Sequence, residues 1–298
     1  MELSWPMKLR IAASVATGVV LIGLLFWPFA APPEPFGTVS LLGGNLTAFS
    51  APSLALLAFF TGFIAYFVSW PHGREIGILA VPAGLTIWGI RSGSMVNLIR
   101  RTAVANQSEL FAALRWEPLY WLAIVAAGFA GVLLAQKIKT APEPEKTEEK
   151  PKSRAIININ EIIALVASVV IAQIFINAFA QGIRLPDGKI GSVVAQPPVE
   201  QIVYGVFISF GLVAFIAKKF LNVSYIWPTI ASAFVTAFAI ISYGRQDILQ
   251  HLSSNWPTVF FSHSTLSILP VQMVAIGTLG SIAGYWMAIR YNYWRKHG

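Results

Sequence analysis

Side chains that can bind or transform a ligand are few in this sequence, and three amides form the clearest group. Gln173, Asn177 and Gln181 follow one another at four-residue spacing, so a helix places them on one face. Inside a membrane, such a row either lines a path for a polar solute or forms hydrogen bonds with a neighbouring helix. Both interpretations stay open, and the row is the candidate substrate path.

Arginines form a second group, in a stretch between two apolar segments. Their positions are Arg91, Arg100, Arg101 and Arg115. Guanidinium groups pair with phosphates and carboxylates through two parallel hydrogen bonds. This stretch is therefore a candidate site for an anionic group such as a lipid headgroup. The alternative is a solvated basic face that rests against the headgroups of the bilayer.

A carboxylate and two imidazoles form a third group. Asp247 and His251 are four residues apart, and His263 follows in the same polar stretch. Carboxylate and imidazole groups at helical spacing can share a metal ion, although polar side chains on a wet surface explain the same pattern. The corresponding stretch of the first half has Arg100 in place of His251 and offers no matching ligands. We therefore favour the wet surface and predict no cofactor.

Established catalytic and nucleotide-binding motifs are absent from the sequence. It contains no Walker A loop, G-x-S-x-G elbow, H-E-x-x-H pair or dinucleotide fingerprint, and no cysteine for thiolate chemistry. Ionisable groups inside the apolar stretches are rare, which argues against a proton-driven pump, because pumps carry proton relays through their spans. These absences favour a protein that is not an enzyme.

The composition defines the elements that hold these groups. Hydrophobic residues make up 56% of the 298 residues and charged residues 11%, whereas soluble domains carry roughly 25% charged residues. The apolar residues come in stretches of about 20, the length of a membrane-spanning helix, without the alternation of barrel strands. Lysines and arginines cluster at the ends of these stretches, as membrane anchors do. Nucleic acid is therefore not an expected partner, despite a formal charge of +8.

An all-α polytopic membrane fold with about eight transmembrane helices is predicted. The first helix ends in Phe29-Ala30-Ala31, which has the small residues of a signal-peptide cleavage site. Its apolar core is longer than the usual stretch of roughly 7–15 residues, so we expect it to remain uncleaved. The expected spans cover residues 9–29, 53–70, 76–90, 118–136, 159–180, 199–217, 225–243 and 268–289.

The distribution of positive charge predicts the orientation of these spans. With both termini in the cytoplasm, two thirds of the 21 lysines and arginines lie in cytoplasmic segments, as the positive-inside rule requires. The charged run 137–154 contains proline, glutamate and lysine without an apolar anchor, and we expect it to be a disordered linker. The prediction is a multi-pass protein of the cell membrane.

Similar features precede and follow this linker, which indicates an internal duplication. Residues 1–136 form the first predicted four-helix repeat, 137–154 the cytoplasmic linker, and 155–298 a second repeat that enters the membrane in the same direction. The last helix of each half carries a row of small residues, which allows close packing on the other last helix or on a partner subunit. The rows are Ala127, Gly131 and Ala135, and Gly280, Gly284 and Ala288.

Each half also has a long polar stretch with short amphipathic segments. Met95, Leu98 and Ile99 share one side of the first, and Leu249 and Leu252 share one side of the second. Helices with such faces lie in the membrane interface with the apolar side down. The two stretches are expected to form an outer lid.

Three classes of function remain open. The first is a non-enzymatic transport or channel-like protein with a path between the two four-helix halves. The second is a structural or assembly subunit of a larger membrane complex. The third is a membrane enzyme that acts on a lipid at the outer face through the arginine-rich and histidine-bearing loops. The expected partners are membrane lipids and either other membrane subunits or further copies of the chain.

Overall fold

In the described part of the computed structural model, seven helices are long and apolar enough to cross a membrane. The structure describes residues 4–34, 37–42, 50–102, 106–140 and 154–297. Most of the predicted linker therefore lies outside the described residues. The described part is mostly helical, which confirms the predicted membrane class, while the exact span count and the internal repeat stay predictions.

Long helices alternate with short ones in the first half. A π-helical segment (Val19–Leu25) continues the first helix, and a 3-10 segment (Gly77–Leu79) joins the fourth to the fifth. The helices are α1 (Trp5–Gly18), α2 (Trp27–Ala30), α3 (Ser50–Val68), α4 (Gly73–Ile76), α5 (Ala80–Arg91), α6 (Met95–Arg100), α7 (Gln107–Leu114) and α8 (Glu117–Ile138).

The second half adds a small sheet to its helices. A π-helical segment (Ala217–Leu221) continues α10, and a 3-10 turn (Ser264–Ser267) precedes the last helix. The elements are α9 (Arg154–Phe179), β1 (Arg184–Asp187), β2 (Gly191–Ala195), α10 (Val199–Ile216), α11 (Ile226–Tyr243), α12 (Gln246–Asn255), β3 (Phe260–Phe261) and α13 (Pro270–His297).

The predicted third span, residues 76–90, differs from the other predicted spans. It is built from α4, the 3-10 segment and α5, and it is not among the seven apolar helices that are long enough to cross. Residues 76–85 are all buried, so neighbouring elements surround this part of the chain on every side. The indole Nε1 of Trp88 donates a hydrogen bond to the carbonyl oxygen of Ile22 (2.8 Å). This bond joins α5 to the π-helical segment that follows α1.

A second central helix, α13, connects the two halves. The side chain of Gln272 is buried and donates from Nε2 to the carbonyl oxygen of Gly89 (2.9 Å). Its Oε1 accepts a hydrogen bond from the backbone N–H of Leu269 (3.0 Å). One amide thus satisfies a carbonyl of α5 and a backbone donor at the start of α13.

The glycines of the small-residue rows pack against helices of their own half, while packing of the rows on a partner subunit stays a prediction. A Cβ atom at Gly131 would overlap the carbonyl oxygen of Phe59, so the row of α8 packs against α3. A Cβ atom at Gly284 would overlap the carbonyl oxygen of Gly211, so the row of α13 packs against α10. The closest approaches therefore lie within each half, because α3 and α10 present backbone at these positions rather than bulky side chains.

One end of the bundle carries β1, β2, α12 and β3, which we call the cap. The strands form an antiparallel sheet in the order β1-β2-β3, with Leu185 opposite Val193 and Val194 opposite Phe261. This sheet was not predicted from the sequence, because strands of two to five residues are too short for alternation to show.

The polar stretch of the first half meets the cap at this end. Met95, Leu98 and Ile99 on α6 are buried, as are Leu249 and Leu252 on α12. The predicted short helices and their apolar faces are thus confirmed, and these faces pack against the bundle.

Candidate functional site

A groove of about 840 Å³ lies between α9 and α11 in the described part of the chain. Its walls are almost wholly apolar, and they include Leu165, Val169 and Val170 from α9 and Phe234, Phe238 and Ile241 from α11. Several of these side chains also form the outer surface, since Val170 is 54% and Ile241 60% exposed. The groove therefore opens sideways, toward the surroundings of the helix bundle.

The length of the groove corresponds to one leaflet of a bilayer. Its α9 wall extends from Leu165 to Asn177, which is about 18 Å at the helical rise of about 1.5 Å per residue. The hydrocarbon core of a bilayer is about 30 Å thick, so one leaflet supplies about 15 Å. An extended hydrocarbon chain that enters from one leaflet would fill this groove.

Four polar side chains line the groove where it approaches the cap. They are Gln173 and Asn177 on α9, Tyr243 at the end of α11 and His263 before α13. All four are half-buried. Both helices reach the cap at these residues, since α9 leads into β1 and α11 leads into α12. The groove is thus apolar along most of its length and polar at one end.

The amide of Asn177 has a defined orientation. Its Oδ1 accepts hydrogen bonds from Nη2 of Arg184 (2.6 Å) and from the hydroxyl of Ser264 (3.2 Å). A guanidinium group can only donate, so the oxygen of the amide must face Arg184 and the NH₂ group must point away from it. Within the described ranges, this NH₂ group has no protein hydrogen-bond partner.

The imidazole of His263 is held on two sides. Its ring stacks on that of Tyr243, with centroids 4.3 Å apart and an interplanar angle of 1°. Its Nδ1 accepts a hydrogen bond from the backbone N–H of Thr265 (3.3 Å), so the proton of the neutral ring lies on Nε2. Desolvation, assisted by the positive charge of Arg184, lowers the pKa of His263 to about 4. The ring is therefore neutral at pH 7 and donates from Nε2.

The other two amides of the predicted row differ in position. Gln173 lines the groove, and its Nε2 is buried without a hydrogen-bond partner. Gln181 lies beyond the end of α9 and does not line the groove, although its backbone carbonyl accepts a hydrogen bond from Gln201. The structure thus brings Gln173 and Asn177 together at the groove and leaves Gln181 outside.

A carboxylate of the cap, Asp187, binds three parts of the chain together. It accepts hydrogen bonds from Nε2 of His251 (3.0 Å), from Nε1 of Trp256 (2.7 Å) and from the backbone N–H of Lys189 and Ile190 (2.9 Å each). These donors lower the pKa of Asp187 well below its usual range, the Ile190 bond most strongly. The side chain of Asp187 is only 7% exposed. Asp187 therefore fastens the β1–β2 hairpin to α12.

The predicted metal-site residues have separate partners. Asp247 pairs with Arg245 (3.3 Å), His251 pairs with Asp187, and His263 belongs to the groove. Within the described ranges, no group of three metal-ligating side chains comes together. The spacing of Asp247 and His251 allowed a shared metal ion as the less favoured alternative, and the carboxylate that contacts His251 is Asp187.

Each of the four predicted arginines also has its own neighbour. Two lie over aromatic rings, at 4.4 and 5.2 Å from the ring centroids, and two contact polar groups. The pairs are Arg91 with Trp27, Arg115 with Trp116, Arg100 with Thr258 and Arg101 with Glu34. The lipid-headgroup site that we predicted from these arginines stays a prediction.

Sequence reasoning missed three residues that the structure makes prominent. Arg184 and Tyr243 adjoin the groove, and only the fold brings them beside Asn177 and His263. Glu117 is a buried carboxylate that accepts hydrogen bonds from Ser40 (2.7 Å) and from Nε1 of Trp121 (2.9 Å). The available signal was an acidic residue directly before the apolar run of α8. Glu117 holds the extended segment around Ser40 against that helix.

The sequence matches no protein-family model, and neither a curated protein nor a solved structure matches it significantly. Fold and composition therefore define the class of this protein. It is a multi-pass, helical integral membrane protein.

Proposed function

We propose that this protein is a non-enzymatic carrier that binds a lipid-like amphiphile in the groove between α9 and α11. One observation carries the proposal: the groove has apolar walls, opens sideways and ends in polar groups at the cap. A hydrocarbon chain gains about 25 cal/mol for each Å² that it buries, while hydrogen-bonding groups at one end orient the head. Lateral opening lets the occupant enter from the bilayer.

The groove supports a transport function, but it lies in a different part of the protein from the path that we predicted. We expected a path between the two four-helix halves, but the groove lies between α9 and α11, which both belong to the second half. The contact between the halves at Gln272 and Gly89 is closely packed. An amphiphile that enters and leaves sideways fits this arrangement better than a solute that passes between the halves.

The lipid-enzyme alternative receives less support from the histidines. In catalytic histidine–carboxylate pairs, one ring nitrogen contacts the carboxylate and the other faces a reacting group. In His251, Nε2 contacts Asp187, and Nδ1 lies 3.2 Å from the side-chain amide of Asn255. Both nitrogens are thus occupied within the cap, which indicates a structural role for this pair.

A blocked groove provides the test of this proposal. Val169→Trp places an indole in the apolar wall, whereas Leu133→Trp places one on an exposed face of α8. Both variants and the original chain are purified in mild detergent, and bound amphiphiles are counted by native mass spectrometry. We expect the original chain and Leu133→Trp to retain an amphiphile and Val169→Trp to lose it, at matched melting temperatures. Equal retention by Val169→Trp would contradict the proposal.

A further inference from the structure

Within the described residues, Asn177 and His263 at the cap end of the groove each offer a hydrogen-bond donor that no protein group accepts. The NH₂ group of Asn177 points away from Arg184, and the proton of the neutral His263 ring lies on Nε2. The oxygen of Asn177 already accepts two hydrogen bonds. These groups are therefore complementary to a head that is rich in acceptors.

Arg184 adds a positive charge to these donors. Its one hydrogen-bond acceptor in the described part of the chain is the amide oxygen of Asn177, which is neutral. No carboxylate of the described residues pairs with it. A guanidinium group has five N–H donors, so most of them stay available after the bond to Asn177. The positive charge of Arg184, after desolvation, also helps to lower the pKa of His263.

We propose that the occupant of the groove is an anionic membrane lipid. One of its acyl chains lies between α9 and α11, and its phosphate or carboxylate group is bound by Arg184 together with the amide of Asn177 and Nε2 of His263. This inference rests on the proposed function, because it names the class of amphiphile that the groove takes.

The positions of Arg184 and Gln173 show which end of the ligand lies at the cap. The charged head group lies beside Arg184, and the acyl chain lies deeper between the helices. Arg184 begins β1 and is exposed, whereas Gln173 lies further inside on α9 and is half-buried. A ligand that enters with its chain first therefore places its head beside the guanidinium and the amide of Asn177. Charge-assisted hydrogen bonds are about twice as strong as neutral ones, so the head contributes selectivity while the chain contributes most of the burial.

A displacement experiment separates the head from the chain. The protein is reconstituted in nanodiscs of a zwitterionic phosphatidylcholine and loaded with radiolabelled hexadecanol, which supplies the chain without a charge. Unlabelled hexadecyl phosphate, hexadecanol and hexadecyltrimethylammonium then compete for the site. We compare the original chain with Arg184→Gln, and with Arg115→Gln as the matched control, because Arg115 lies over Trp116 and does not line the groove.

We expect hexadecyl phosphate to displace the label at about a tenfold lower concentration than hexadecanol, since a charge-assisted hydrogen bond is worth roughly that factor. The trimethylammonium compound is expected to be the weakest competitor. Arg184→Gln is expected to remove most of the phosphate preference and to keep hexadecanol binding, whereas Arg115→Gln keeps both. Differences in how the three compounds partition into lipid cancel when the phosphate preference of one protein is divided by that of another in the same nanodiscs, so the change of this preference in Arg184→Gln is the deciding quantity.

The outcomes distinguish this inference from the proposed function. If radiolabelled hexadecanol does not bind saturably to any of the three proteins, the groove binds no chain and the proposed function itself is wrong. If hexadecanol binds and all three competitors act equally, or if the cation is preferred, the proposed function stands and the anionic occupant is wrong. Retained phosphate preference in Arg184→Gln would also contradict the inference.

Discussion

The ring of His263 lies parallel to that of Tyr243, with 4.3 Å between the centroids and 1° between the planes. This stacking joins the loop before α13 to the end of α11. Together with the bond from Thr265 to Nδ1, it fixes the ring plane and the position of the remaining proton on Nε2. A histidine held in this way acts at pH 7 as a neutral donor at the end of the groove.

The titration of His263 follows from its burial. Its pKa is lowered from the ordinary 6.5 to about 4, so the neutral form is favoured in the folded protein. The contribution of neutral His263 to the stability of the folded protein is therefore fully present above pH 6.5, and it is lost as the pH falls toward 4. NMR of protein with labelled histidine is expected to show a His263 midpoint near 4, and His263→Asn should remove that resonance. A midpoint near 6.5 would mean that the ring is not desolvated.

The close helix contacts in the two halves predict matched losses of stability. Alanine at Gly131 or Gly284 would force α8 away from α3 or α13 away from α10, and overpacking of this kind costs roughly 1–3 kcal/mol. Both variants are expected to melt at lower temperatures in detergent. Gly188→Ala is the control, because no atom lies within 4 Å of the added Cβ. Unchanged melting of both variants would contradict the described helix contacts.

The hydrogen bonds of Asp187 predict that removing its charge loosens the cap. Asp187→Asn removes the charge that the His251, Trp256 and backbone donors stabilise. Hydrogen exchange of the amides in residues 184–195 is expected to become faster. Asp247→Asn is the matched control, since Asp247 is 54% exposed and its ion-pair partner among the described residues is Arg245. Equal acceleration in both variants would show that the effect is not specific to Asp187.

The hydrogen bonds of the Gln272 side chain connect the two halves, and their removal is expected to lower the thermal stability of the protein. Gln272→Leu leaves the carbonyl of Gly89 and the N–H of Leu269 without their side-chain partner. An unsatisfied buried polar group costs about 1–3 kcal/mol, so we expect a clear loss of thermal stability. Gln250→Leu on the exposed face of α12 is expected to leave the melting temperature nearly unchanged. A Gln272→Leu variant as stable as the original would indicate that this bond contributes little.

Helix positions could be predicted from the sequence because the ends of the apolar runs are marked by charge, proline and glycine. The predicted helix 225–243 and the observed Ile226–Tyr243 show the accuracy that such signals give. The central position of α5 was not predictable, because hydropathy does not distinguish a helix surrounded by protein from one surrounded by lipid. The cap sheet was missed since its strands are too short for a periodic pattern.

The candidate site was predictable only in part. The spacing of Gln173 and Asn177 placed both on one face of α9, and the structure puts both in the groove. Nothing in the sequence indicated that Arg184 folds back onto Asn177, or that His263 stacks on Tyr243, because these contacts depend on loops whose paths are set by tertiary packing. Similarly, the four-residue spacing of Asp247 and His251 indicated that these two side chains could act together. In the structure, His251 contacts Asp187 of the β1–β2 hairpin instead.

Photolabelling of the reconstituted protein tests the groove most directly. A long-chain lipid with a diazirine in its acyl chain is activated in nanodiscs, and the labelled peptides are identified by mass spectrometry. We predict that the label concentrates on residues 165–177 of α9 and 234–243 of α11, and that Val169→Trp abolishes this concentration. Equal labelling of the exposed surface of α8 around Leu133, with no change in Val169→Trp, would contradict a lipid-binding groove between α9 and α11.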